Sequence, residues 1–310
     1  MKALMKKGSV VSVCDTDRPR INAANDVLIR IALAGLCRTD MEVASGRIPC
    51  KDSLILGHEF SGIVERTGGD VDGLHQGDRV TVMPFLVEGA PVMRNGIPSY
   101  AKSRMMGVDC DGAFGEYTLV PASAVYRLPD HVSFIEGAYM EPIAASMAVL
   151  NASILPGQKG LIFGENRISR LTERILKAKR FTDISICDKN QTLPEDTYDF
   201  IIETSATTET LQKMMKAVKP GGRIVLKSRQ PIPVALSITD LVMKDIAMEA
   251  VSYGDFQAGI DLVASGKLKI DDLFGDVSGL EDFESVFAKS RLGESKKLFF
   301  SAAGPDVWTR

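Results

Sequence analysis

The chain has 310 residues, enough for about two domains of ordinary size. Hydrophobic residues make up 45% and charged residues 25%, and 37 Lys plus Arg against 40 Asp plus Glu leave a formal charge of −3. That balance argues against a nucleic-acid binder. No apolar run reaches the ~18 residues of a membrane helix, and the segment after Lys2, Lys6 and Lys7 is too short for a secretory leader, so a soluble, cytoplasmic protein is expected.

In chain order, the first half predicts short strands at 27–34, 60–64, 79–82 and 115–120, punctuated by glycines and Pro84. Many short runs between turn residues predict an antiparallel β domain. The pattern changes near Pro142. A short apolar run at 160–164 leads straight into a helical pattern, with Ile168, Leu171, Ile175 and Leu176 on one face. Strands are predicted at 184–188 and 198–203, a helix at 208–218, and a strand at 223–226 after Pro220-Gly221-Gly222. Alternating strands and helices predict a parallel sheet. A helix at 256–265 and a β-rich return complete the chain.

The five cysteines (Cys14, Cys37, Cys50, Cys110 and Cys187) are odd in number and show no C-x-x-C pair. That spacing argues against a disulfide framework and excludes a structural zinc site built from such pairs. Any site needing imidazole must draw on His58, His75 or His131.

One constellation carries metal chemistry. Cys37-Arg38-Thr39-Asp40 follows the 27–34 strand, Gly57-His58-Glu59 lies about twenty residues on, and Met140-Glu141-Pro142 precedes the second half. Thiolate, imidazole and carboxylate form a zinc set of the catalytic kind, with a fourth position open to water or substrate. Thr39 could relay a substrate proton, and Asp40 or Glu42 could orient a ligand. The same residues also read as a loop histidine and a buried cysteine, and spacing does not decide between the two.

The runs LCRTD, GHEFSGIVE, GLHQGDRVTV, DGAFGEY and MEPIAAS, in that order over nearly the whole chain, resemble the medium-chain, zinc-dependent alcohol dehydrogenase family, in its sorbitol and threonine dehydrogenase branch. PGQKGLIFG and KPGGRIVL resemble that family's cofactor half, and SGKLKIDDL its C-terminal return. The resemblance implies one catalytic zinc on Cys37, His58 and either Glu59 or Glu141, with Thr39 as proton relay and Glu59 and Asp40 close to the chemistry. It implies hydride transfer between an alcohol or ketone and NAD. It also implies a homodimer or homotetramer, with 248–253 as the edge strand that pairs.

Three departures stand out. Where relatives carry four cysteines for a structural zinc, this chain has Val87, Ala90, Met93 and Ala101, so no second zinc is expected. The dinucleotide turn G-x-G-x-x-G reads Gly164-Glu165-Asn166-Arg167-Ile168-Ser169, keeping only its first glycine. Arg167 or Arg170 could bind phosphate instead, or the turn could be a plain strand–helix connection. Finally, only residues 189–197 separate Asp188 from the next strand, too few for a helix and a strand, so the outer strand beside the adenine is expected to be missing. Asp188 stands where an acid binds the ribose hydroxyls of NAD, and also reads as a turn residue.

The expected fold is therefore α/β plus β. A GroES-like, β-rich catalytic domain (1–147) precedes a shortened Rossmann-type domain (148–265), and residues 266–310 return to the first domain. The active site is expected in the cleft between the domains. The expected function is zinc-dependent hydride transfer between a small alcohol or polyol and NAD, with Gly164, Arg167 and Asp188 holding the cofactor. The alternative is a redox-neutral zinc lyase or isomerase that has lost nicotinamide binding.

Overall fold

The computed structural model describes residues 1–87, 92–94, 97–100, 103–229, 232–293 and 296–304. The chain forms two compact units. The first comprises Met1–Glu141, Ile260–Ala264 and the chain from Ile270, and the second Pro142–Gly259 with Ser265–Lys269.

The first unit is built on a seven-stranded sheet in the order Val125–Arg127, Arg79–Val82, Glu59–Thr67, Asp26–Gly35, Lys297–Ser301, Phe274–Gly279, with Tyr117–Pro121 also pairing with Asp26–Gly35. All pairings are antiparallel except the last, between Phe274–Gly279 and Lys297–Ser301. Asp26–Gly35 is covered on both faces, which is why it reads as a continuous apolar run rather than an alternation. Leu4, Ile29, Ile31, Phe60, Val80, Phe114 and Phe300 belong to its main core.

The return segment departs from its β-rich expectation. It contains a helix, Phe283–Arg291, between the two parallel strands. Phe283, Val286 and Phe287 sit three and four residues apart, so the helical period was present; a parallel pair also needs a crossover, which this helix supplies.

The second unit holds five parallel strands in the order Ile184–Cys187, Gly160–Phe163, Tyr198–Glu203, Val218–Leu226, Ala247–Ala250. Side chains alternate between two cores. Leu161, Phe163 and Ile201 face one, while Ile162, Phe200 and Ile202 face the other. The predicted strand at 223–226 starts earlier, at Val218. Pro220-Gly221-Gly222 forms a bulge inside it, opposite the step from Tyr198 to Phe200, instead of a break before it. The expected edge strand at 248–253 is Ala247–Ala250. The chain leaves the sheet after Val251 N–H donates to Leu226 O, and Gly254 N–H then bonds Ala144 O.

Ile184–Cys187 is the outermost strand on its side. Residues 188–197 run directly to Tyr198–Glu203, so the outer strand is missing, as the short connection predicts. The strand order reverses at Gly160–Phe163: its neighbour Ile184–Cys187 follows on one side and Tyr198–Glu203 on the other. Ligands in open parallel sheets bind at the carboxyl ends of strands at such a reversal.

In the lobe expected to lack a structural zinc, Val92–Arg94 and Ile97–Ser99 pair antiparallel, and the Phe85 and Tyr100 rings stack with centroids 5.3 Å apart. Met93 is largely exposed. Ala90 and Ala101 lie outside the described residues.

Candidate metal and cofactor site

Cys37 ends the loop after Asp26–Gly35 and immediately precedes the helix Arg38–Ala44. Asp40 occupies the third position of that helix, from which a carboxylate can reach back to the preceding backbone. Its Oδ2 accepts the Cys37 backbone N–H at 2.8 Å. Its Oδ1 faces His58 Nδ1 at 3.0 Å. Both Asp40 and His58 are buried. With Nδ1–H donated to the carboxylate, His58 keeps the Nε2 lone pair for a metal, the usual way an outer carboxylate fixes a ligand's tautomer. Burial pushes the His58 imidazole down, but the charges on Asp40 and Cys37 outweigh it and hold the imidazole well above its ordinary value.

The next residue, Glu59, starts the strand Glu59–Thr67 and is also buried. The donor atoms of Cys37, His58 and Glu59 all lie within 4.8 Å of one another. The set has the mixture of thiolate, imidazole and carboxylate that suits zinc, and three donors leave a coordination position open. A metal therefore fits here.

Glu141, the other acid considered, sits half-buried in the first turn of the helix Met140–Met147 and is not part of the cluster. Glu42 does not join it either: its Oε1 accepts from Arg47 Nη2 at 3.0 Å. Asp40 alone makes the orienting contacts that had been open to both. Thr39 lies half-buried in the first turn of the same helix, two residues from Cys37. His75 is largely exposed, and His131 Nε2 lies 3.0 Å from Ala264 O, so neither takes part.

The sequence reading missed Lys297, which is buried and forms an ion pair with Glu59 Oε2. A lysine opening a strand that is buried throughout, Lys297–Ser301, was the available signal.

In the second unit, Gly164 follows the strand Gly160–Phe163 with φ at +104°, and a Cβ there would meet Thr204 Oγ1 at 2.8 Å. The first glycine is therefore demanded by the turn itself. Asn166 caps the helix Arg167–Ala178. Its side-chain oxygen accepts Ser169 N–H at 3.0 Å, and its Nδ2 donates to Thr204 Oγ1 at 2.9 Å. Ser169, in the place of the third glycine, is buried and bonds Gly164 O and Thr204 Oγ1. A hydrogen-bonded network thus does the helix–sheet packing that the third glycine does elsewhere.

The frame fits a dinucleotide: a tight turn, a helix N-terminus and a strand-order reversal coincide, and Asp188 follows the neighbouring strand, with its Oδ1 accepting Asn190 N–H at 2.8 Å. The side chains oppose it in part. Asn166 occupies one helix-end donor, and Arg170 is paired with Glu165 at 3.2 Å. Arg167 is half-buried at the first helical position.

A family profile described as the alcohol dehydrogenase GroES-like domain matches residues 23–130. The chain is 28% identical to the D-xylulose reductase of Morganella morganii, over 96% of this chain and 99% of that protein. Its fold superimposes on 2R,3R-butanediol dehydrogenase from Bacillus subtilis with a TM-score of 0.86, at 23% identity, covering 97% of this chain and 99% of that one. An alcohol dehydrogenase from Escherichia coli CFT073, complexed with NADH, gives 0.87 at 20% identity over 97% and 99% of the two chains. Near-complete coverage extends the likeness through both units, including the one whose turn and outer strand are altered. Residues 23–130 thus carry the alcohol dehydrogenase GroES-like domain, and over nearly its whole length the chain is similar to reductases and dehydrogenases of alcohols and polyols.

Proposed function

We propose that the protein is a zinc-dependent oxidoreductase that moves hydride between a small alcohol or polyol, or the matching ketone, and NAD. The observation that carries this reading is the meeting of half-buried Cys37 with buried His58 and Glu59, with Asp40 bonded to both the Cys37 backbone and the His58 ring. In this reading Cys37, His58 and Glu59 hold zinc. Bound there, zinc supplies Lewis acidity that polarises a substrate oxygen and lowers the pKa of its hydroxyl. Thr39 takes the hydroxyl proton and passes it outward. Gly164 lets the chain turn close to the pyrophosphate, Arg167 and the helix N-terminus face its charge, and Asp188 receives the ribose hydroxyls. An acid at that place favours NAD over its 2′-phosphorylated form.

The redox-neutral alternative rests on the altered turn and the missing outer strand. The D-xylulose reductase relative, matched over almost its full length, favours the oxidoreductase.

The partner is a small molecule, and we assign a second copy of the chain as the protein partner. Ile232, Leu236, Ile238, Val242 and Met243 are exposed just before the free edge strand Ala247–Ala250. Exposed apolar clusters beside an unpaired strand mark interaction surfaces. No helix among the described residues is long and apolar enough to cross a membrane. Five unpaired cysteines accord with a reducing compartment, the cytoplasm.

The test is titration of zinc-loaded protein with NADH and NADPH, followed by a screen of polyols and ketones for hydride transfer. Micromolar NADH binding and turnover of at least one polyol–ketone pair are expected. No NADH binding up to millimolar concentrations, with zinc present, would overturn the reading. Light scattering of the purified protein reads the oligomer, and a monomer would remove the second-copy assignment.

A further inference from the structure

Lys297 is 1% exposed, and its Nζ is in direct contact with Glu59 Oε2. The contact is an ion pair rather than an aligned hydrogen bond, and no hydrogen-bond acceptor among the described residues reaches the ammonium. A buried ammonium with one carboxylate as its whole environment is costly to keep. The fold nevertheless makes room for it. Lys297–Ser301 and Glu59–Thr67 flank Asp26–Gly35, and Gly35 pairs with both Glu59 and Phe299. A Cβ on Gly35 would meet Lys297 Cε at 2.5 Å and Glu59 Oε2 at 2.8 Å. The pair therefore depends on a glycine between the two strands.

Charge accounts for the arrangement. A metal-bound Cys37 is a thiolate, and Glu59 and Asp40 add two carboxylates, while His58 enters as neutral imidazole. Three anions around one site exceed a divalent ion by one charge. Lys297 supplies the missing positive charge.

We propose that Lys297 is a positioning residue of the metal centre: it holds Glu59 by one carboxylate oxygen and balances the charge of Cys37, Asp40 and Glu59 around a divalent ion. This rests on the metal reading above. Lys297 keeps one oxygen of Glu59 engaged and leaves the other for the ion. It also opposes the dication electrostatically, so the centre binds its metal less tightly than three anions alone would, and the ion's Lewis acidity is not quenched by surplus negative charge.

The test uses the full chain after metal removal, as wild type, Lys297→Met, Lys297→Gln, Glu59→Gln and the Lys297→Met/Glu59→Gln pair. Each is titrated with Zn²⁺ against a chromophoric chelator and with Co²⁺, whose visible absorption reports the donor set. Removing the ammonium is expected to tighten Zn²⁺ binding by about tenfold or more and to shift the Co²⁺ bands. The band shift, which passes through the Glu59 carboxylate, should vanish when Glu59 is already Gln, whereas the tightening, which is direct repulsion between ammonium and ion, should persist there. Lys297→Gln keeps a hydrogen-bonding group in the same space, and carries the same expectation if Lys297→Met does not survive metal removal. Unchanged affinity and spectrum in both Lys297 variants would overturn the proposal, as would an equal shift of the Co²⁺ bands in the Glu59→Gln background. Failure of wild type to bind either ion would instead overturn the metal reading itself.

Discussion

Asn166 stands where a pyrophosphate would take its first helix-end contact. Its side chain accepts Ser169 N–H at 3.0 Å and donates to Thr204 Oγ1 at 2.9 Å. A phosphate oxygen reaching Ser169 N–H must displace the carboxamide. Replacing Asn166 by Gly frees that donor and removes the side chain from the phosphate's path. Glycine at an N-cap costs only a few tenths of a kcal/mol relative to Asn, and the lost bond to Thr204 about 1 kcal/mol. The released N–H gains a hydrogen bond to a charged group, worth about 1.5–3 kcal/mol. Part of that gain is offset by the entropy of a more mobile turn. About 1.4 kcal/mol of net gain corresponds to a tenfold lower Kd. Asn166→Gly is therefore expected to bind NADH about tenfold more tightly than wild type in calorimetric titration, while melting a few degrees lower without cofactor. An unchanged or weaker affinity alongside the lower melting temperature would refute the reasoning. It would mean that the carboxamide itself contacts the cofactor.

Asp40→Asn keeps the shape of the side chain but removes the charge that holds His58 and the Cys37 loop; zinc affinity should fall by about 10- to 100-fold, read by chelator competition. Thr39→Val should leave metal content unchanged and lower kcat by about 100-fold or more, read in steady-state kinetics with the best polyol found; an unchanged kcat would remove Thr39 from the relay. Asp188→Ala should weaken NADH binding and narrow the preference over NADPH, measured by parallel titrations; wild-type affinity at limiting NADH would show that Asp188 serves only its turn with Asn190.

Much of the architecture was legible along the chain, because local patterns carried it. The apolar run of Asp26–Gly35 and the strand–helix alternation from Gly160 onward both follow from which faces are buried. The missing outer strand was legible as a length: the residues between Cys187 and Tyr198 are too few to hold it. The candidate metal cluster was legible as residue types, but which glutamate joins Cys37 and His58 was not. Glu59 and Glu141 are equivalent in chemistry, and the cluster gathers Glu59 because it opens a strand beside Gly35.

Other features belong to contacts between distant segments. Asp40 rather than Glu42 orients the site because Asp40 alone, at the third helical position, reaches both Cys37 N and His58 Nδ1, while Glu42 is turned to Arg47. Asn166 reads as a lost glycine until its bonds to Ser169 and Thr204 appear, and Thr204 comes from a different strand end. Lys297 meets Glu59 across more than two hundred residues of chain, through the space left by Gly35. Composition and periodicity report which face of an element is buried. Which buried charge meets which depends on strand order and register, and those exist only once the sheets have formed.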